Sequence, residues 1–123
     1  EIGEIATQTF DTIQPFLLLG GKEIIKGVAS DLWLKVKTVF ESKGEEKLLQ
    51  KFEKSPKDLK TKGKIEYVLE NELQNNSDLL KDLTNLINSV KKSENYNTVI
   101  NQIGDNNISV GGKISNSKIK IQK

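Results

Sequence analysis

Three stretches of the chain hold residue types that could do chemistry. Glu45-Glu46, and Glu70 with Glu72, bring carboxylates close together in sequence, the minimum for general acid–base work. Asp105-Asn106-Asn107 gathers side-chain oxygens of the kind calcium prefers. Gly20-Gly21-Lys22 has the glycine–lysine ending of a phosphate-binding loop. Each has a plainer explanation. Lysines surround the glutamates, as on a solvated face. No EF-hand spacing accompanies Asp105, and Asp and Asn are ordinary turn formers. Gly20-Gly21-Lys22 lacks both a preceding strand and the spaced first glycine. The expectation is no catalytic residue, no cofactor-binding residue, no metal site, and a protein that is not an enzyme.

Composition points the same way. The 123 residues include no His and no Cys. General acid–base catalysis near neutrality thus lacks its usual agent, and zinc lacks its commonest ligands. Disulfides are excluded, which suits a cytoplasmic location. Every positive charge is a lysine, and the net charge is only +2. Arginine is the residue of choice for bidentate reading of bases and phosphates, so specific nucleic-acid recognition is not expected. The longest uncharged run in the helical region, Thr12–Gly21, is far shorter than the ~18 residues of a membrane span. The chain opens on Glu1 and contains no Met, as a fragment or a processed form would.

The elements that would position any site are helical up to Ser93. Ala6, Phe10, Ile13 and Leu17 share one helical face, with Pro15 expected to kink the helix or start a new turn and Gly20-Gly21 to end it. Lys22 to Ser42 reads as the longest helix, on the stripe Ile25, Val28, Leu32, Val36 and Val39. Gly27 falls inside that span, where glycine costs about 1 kcal/mol against Ala. Trp33 on this helix reads as core. Shorter helices follow over Glu45–Lys54, around Ile65–Leu73, and from the expected cap Ser77 to Lys92. Residues 1–93 therefore predict a four- to five-helix bundle or array. The run Phe16–Leu19 reads as a buried helix end, with insertion into a membrane as the alternative.

From Asn95 helical spacing gives way to Asn, Gly and Ser. In registers of eleven, Asn95–Asp105 and Asn106–Asn116 match, with a partial third unit from Ser117 to Lys123. Val99, Val110 and Ile121 share one column, Ile103 and Ile114 another, and Ile108 and Ile119 a third. Matched apolar columns at a fixed period are the mark of stacked units. Alternation in Ile108-Ser109-Val110 and Ile119-Lys120-Ile121 predicts short strands. Each unit would bury about 200 Å² of apolar surface, or about 5 kcal/mol. Ordering its backbone costs about 11–22 kcal/mol. Such a unit needs neighbours, either the helices or other copies of the tail. Identical units can stack with Asn ladders, which favours association between chains.

Within this tail, Gln102-Ile103-Gly104-Asp105-Asn106-Asn107 resembles the core of the RIP homotypic interaction motif and its bacterial amyloid-signalling relatives, with Ser109 standing where a large apolar residue is usual. The wider stretch Gly104–Ser117 is similar to a tail found in bacterial proteins behind a small helical region. Asp31 to Lys37 is comparable to a stretch of that region. The resemblance implies a homotypic assembly or adaptor module of a bacterial signalling or defence-type protein.

The expectation is thus a mainly α fold: a helical domain at 1–93 followed by a short β-repeat tail at 94–123. Gln102, Ile103, Gly104, Asn106, Asn107, Ile108, Val110, Ile114, Asn116, Ile119 and Ile121 would carry the interaction. Partners would be other copies of the chain through the tail, or a protein with a similar repeat. A membrane-active helical effector is the alternative, and a weak lysine-mediated nucleic-acid-binding module stands behind it.

Overall fold

Apolar residues recur three and four apart along most of the chain, and among the described residues the fold converts that spacing into six helices. The computed structural model describes residues 1–106. The helices are α1 (Ile2–Gly20), α2 (Val28–Ser42), α3 (Glu46–Lys54), α4 (Leu59–Gln74), α5 (Ser77–Lys92) and α6 (Glu94–Asn106). A 3-10 turn, Lys22–Ile24, joins α1 to α2. No strand occurs among the described residues.

α1 is the central element and packs against α4, α5 and α6. It runs through Pro15 without ending, and Pro15 is buried. α2 lies on α5, α3 and α4. Phe10 of α1 sits at the middle of an aromatic cluster. Its ring meets Trp33, Phe40 and Phe52 edge-on, with centroids 6.1, 6.2 and 5.8 Å apart. Edge-to-face pairs of this kind add about 0.5–1.5 kcal/mol each beyond the area they bury. Ile13, Leu32, Ile65, Leu69, Leu83 and Ile87 extend the same core along the helices.

Local signals fix the helix ends. α2 closes with both hydrogen bonds of a Schellman motif. Glu45 N–H donates to Phe40 O at 2.8 Å and Gly44 N–H to Glu41 O at 3.1 Å, with Gly44 at φ 72°. Asp58 caps α4, its carboxylate accepting from Lys60 N–H at 3.3 Å and from the Thr61 hydroxyl at 2.6 Å. Asn76 caps α5 through Leu79 N–H at 3.0 Å, one residue before the expected cap Ser77.

Two further expectations are corrected. α2 begins at Val28, so Gly27 is not a helix-interior glycine. It precedes the helix at φ 61°, ψ −137°, a conformation that residues with a Cβ rarely adopt. The second correction concerns the tail. Asn95–Asp105, expected to be extended, lies in α6 and packs on α1 and α5. Tyr96, Val99 and Ile103 fall three and four apart, so a helix turns all three towards the bundle. Val99 and Ile103 complete the core there, whereas alternation in a strand would have left the unit half exposed.

Candidate interaction surface

The interaction residues expected from the sequence divide at the end of α6. Gln102 is exposed on the helix. Ile103 is fully buried and belongs to the core rather than to a free edge. Gly104 is helical and partly buried, and Asn106 is the last residue of the helix. Asn107, Ile108, Val110, Ile114, Asn116, Ile119 and Ile121 lie outside the described residues, as does the end of the Asp105-Asn106-Asn107 cluster.

α6 begins at a single-residue break. Ser93 Oγ donates to Val90 O at 2.7 Å and accepts from Tyr96 N–H at 3.2 Å, so one hydroxyl closes α5 and opens α6. Tyr96 then packs beside Phe16, with ring centroids 6.4 Å apart. Burial, with a smaller contribution from the Asp11 carboxylate, pushes the Tyr96 phenol above its ordinary value. One flank of α6 meets the end of α1 in an open groove of about 430 Å³. Leu19, Ile24, Lys26, Thr98 and Gln102 are among its lining residues. Gln102 is thus the expected interaction residue that faces open space beside the bundle.

The carboxylates do structural work. Glu72 pairs with Lys43 at 2.8 Å, linking the end of α2 to α4, and accepts from Asn76 Nδ2 at 3.3 Å. Those two contacts, Lys43 first, hold its carboxyl below the ordinary value. Glu53, whose side chain is 8% exposed, accepts from Trp33 Nε1 at 2.6 Å and pairs with Lys37 at 3.5 Å. Trp33 therefore has both a core environment and a hydrogen-bond acceptor for its indole. Lys62 bridges Asp11 and Glu66 across α1 and α4. Burial alone would lower its pKa, but the hydrogen bond and charge of Asp11, helped by Glu66, outweigh it and hold Lys62 above the ordinary value. No group of three or more His, Cys, Asp or Glu side chains is gathered for a metal among the described residues.

Two other sequence features find places. Gly20-Gly21-Lys22 follows a helix rather than a strand and forms the bend into the 3-10 turn, with Gly21 at φ 79°. In the Phe16–Leu19 run, Phe16 is fully buried and Leu17 is 6% exposed, so its first half is core. No helix among the described residues is long and apolar enough to cross a membrane. Gln14 was not anticipated as a special position. It is 2% exposed, donates to Pro56 O at 2.6 Å, and leaves its Oε1 without a partner. A polar residue between two apolar ones in α1 was the signal available for it.

No family model, curated protein or solved structure matches the chain.

Proposed function

We propose that the chain is a non-enzymatic assembly or adaptor module, in which a six-helix domain holds a C-terminal repeat that associates with copies of itself. The observation behind this reading is the way α6 is anchored. Val99 and Ile103 are buried in the core, so α6, the last element described, is anchored on the bundle. Beyond Asn106 the sequence carries Ile108, Val110, Ile114, Ile119 and Ile121 among Asn, Ser and Gly. These five side chains are too few to offset the entropy of ordering 17 residues by themselves, so they need a neighbouring surface. Repetition makes a second copy the best-matched neighbour. The first unit belongs to the helical domain, so the associating segment starts at Asn107 rather than at Gln102. In the cell such a module would bring the proteins that carry it together, as bacterial signalling and defence adaptors do.

The test is mass in solution by light scattering, comparing the full chain with one ending at Asn106. A cut after Lys92 would not serve, because it removes Val99 and Ile103 from the core as well as the tail. The expected result is a multi-copy particle for the full chain and a single copy for the shortened one. An equal number of copies in both overturns the proposal.

A further inference from the structure

Lysines and acids balance over residues 1–93, at 15 each, but they are not evenly spread. Residues 47–64, which run from α3 into α4, hold seven lysines against Glu53 and Asp58, a net +5. Glu53 is already committed elsewhere, which leaves Asp58 as the acid of this segment that offsets part of its charge. Glu53 is turned inward to Trp33 and Lys37, and Asp58 caps α4. Of the seven lysines only Lys62 is partly buried and paired. Lys47, Lys51, Lys54, Lys57, Lys60 and Lys64 are exposed, and none forms an ion pair among the described residues.

Folding does not account for this concentration. Lys47 and Lys51, Lys51 and Lys54, and Lys60 and Lys64 are like charges at helical neighbour spacing, which destabilises a helix. Lys51 and Lys54 at least complement the dipole at the end of α3. Lys60 stands in the first turn of α4, where the dipole repels a cation. The lysines of α3 lie opposite its buried Leu49 and Phe52. Lys51 is close enough to Asp58 to help hold that carboxyl below its ordinary value, after the larger effect of the Thr61 hydroxyl. The charge of Lys51 is therefore felt at the turn that carries Lys57 and Lys60.

The same turn exposes an apolar side chain. Leu59, between those lysines, is 73% exposed. Gly63 and Tyr67 continue its line at four-residue spacing along α4; Gly63 has open space around it and Tyr67 is 66% exposed. A bare leucine flanked by the exposed Lys57 and Lys60 has no match on the phosphate backbone of a nucleic acid. It matches an anionic bilayer surface, where lysines meet headgroup phosphates and carboxylates while leucine and tyrosine enter the boundary with the acyl chains.

We propose that the α3–α4 hairpin is a peripheral docking surface for an anionic lipid bilayer, with Lys51, Lys57 and Lys60 supplying attraction and Leu59 the inserted side chain. The test is sedimentation of the full chain with vesicles of phosphatidylcholine alone and of phosphatidylcholine mixed with phosphatidylserine. Binding is expected only to the mixed vesicles and is expected to weaken with added salt. Each lysine removed should cost about fivefold. The triple substitution Lys51→Gln, Lys57→Gln, Lys60→Gln should therefore lose on the order of a hundredfold, while the three lysine-to-arginine changes retain binding. Leu59→Ala should lose about tenfold without altering the salt dependence. All these side chains are exposed, so the helical circular dichroism of each variant should be unchanged. Equal binding to both vesicle types, or full binding by the triple glutamine variant, overturns the proposal. So does a DNA duplex that displaces the vesicles while Leu59→Ala binds like the parent, because that pattern belongs to a nucleic-acid surface.

Discussion

Ile103 separates two pictures of the same residues. In a strand of a shared ladder it would bond copies together and leave the isolated domain indifferent to its removal. In α6 it is fully buried among the side chains of the bundle. Truncating a buried isoleucine to alanine costs about 2–5 kcal/mol, the larger values arising where the site cannot collapse. α6 is the last helix described and is packed on one side, by α1 and α5. It can relax, so about 2–3 kcal/mol is expected for Ile103→Ala. That is a large share of the ~5–15 kcal/mol stability of an ordinary domain. Trp33, 3% exposed, reports unfolding by fluorescence. With the urea slopes usual for small domains, the midpoint should fall by about 1–2 M. Gln102→Ala next to it removes only exposed surface and should change stability by less than about 0.5 kcal/mol. An unchanged midpoint for Ile103→Ala, accompanied by a loss of assembly, would refute the helical placement and restore the strand.

Three other outcomes follow from the geometry. Gly27→Ala should destabilise by about 1–3 kcal/mol in a thermal melt, because the positive φ before α2 penalises any Cβ although nothing lies within 4 Å of it; a helix-interior glycine would instead be stabilised by the change. Trp33→Phe should cost about 1–3 kcal/mol in urea, since it leaves the buried Glu53 carboxylate with Lys37 alone, and Glu53→Gln in the same background should recover part of the loss. Stability measured across pH should decline at both ends. Asp58 and Glu72 have carboxyls held below their ordinary values of 3.8 and 4.5, so their contribution is complete above those values and is lost as pH falls beneath them. Lys62 and Tyr96 are held above 10.5 and 10.0, so theirs is complete below those values and is lost as pH rises past them. Lys62→Met should remove part of the alkaline decline.

Most of the helical fold was legible because its signals are local. The stripe of Ala6, Phe10, Ile13 and Leu17, the break at Lys43-Gly44 and the apolar face of α5 each declare a helix or its end within a few residues. Gly27 was misplaced because apolar spacing continues across it from Ile25 to Val28, and spacing carries no information about the sign of φ. α6 was misread for a related reason. Val99 and Ile103 sit in columns of an eleven-residue repeat and also four apart on a helix, so one spacing satisfies two geometries. The choice between them is made by Phe16 and the rest of the surface that α1 and α5 offer, and no local pattern describes that surface. The charge separation was hidden by summation, because the basic α3–α4 segment is cancelled by acids elsewhere. Of the expected interaction residues, Gln102, Ile103 and Gly104 could be placed relative to the bundle. The apolar residues from Ile108 onward rest on sequence pattern alone.

The central position of α1 has a consequence for synthesis on the ribosome. Phe10, Ile13 and Phe16 are translated before the helices that cover them, which include α4, α5 and α6. Chain elongation from Gly20 to Asn106, at about 5–20 residues per second, leaves those aromatic and aliphatic groups uncovered for several seconds. α1 therefore keeps apolar surface exposed until α6 has been made and can dock on it.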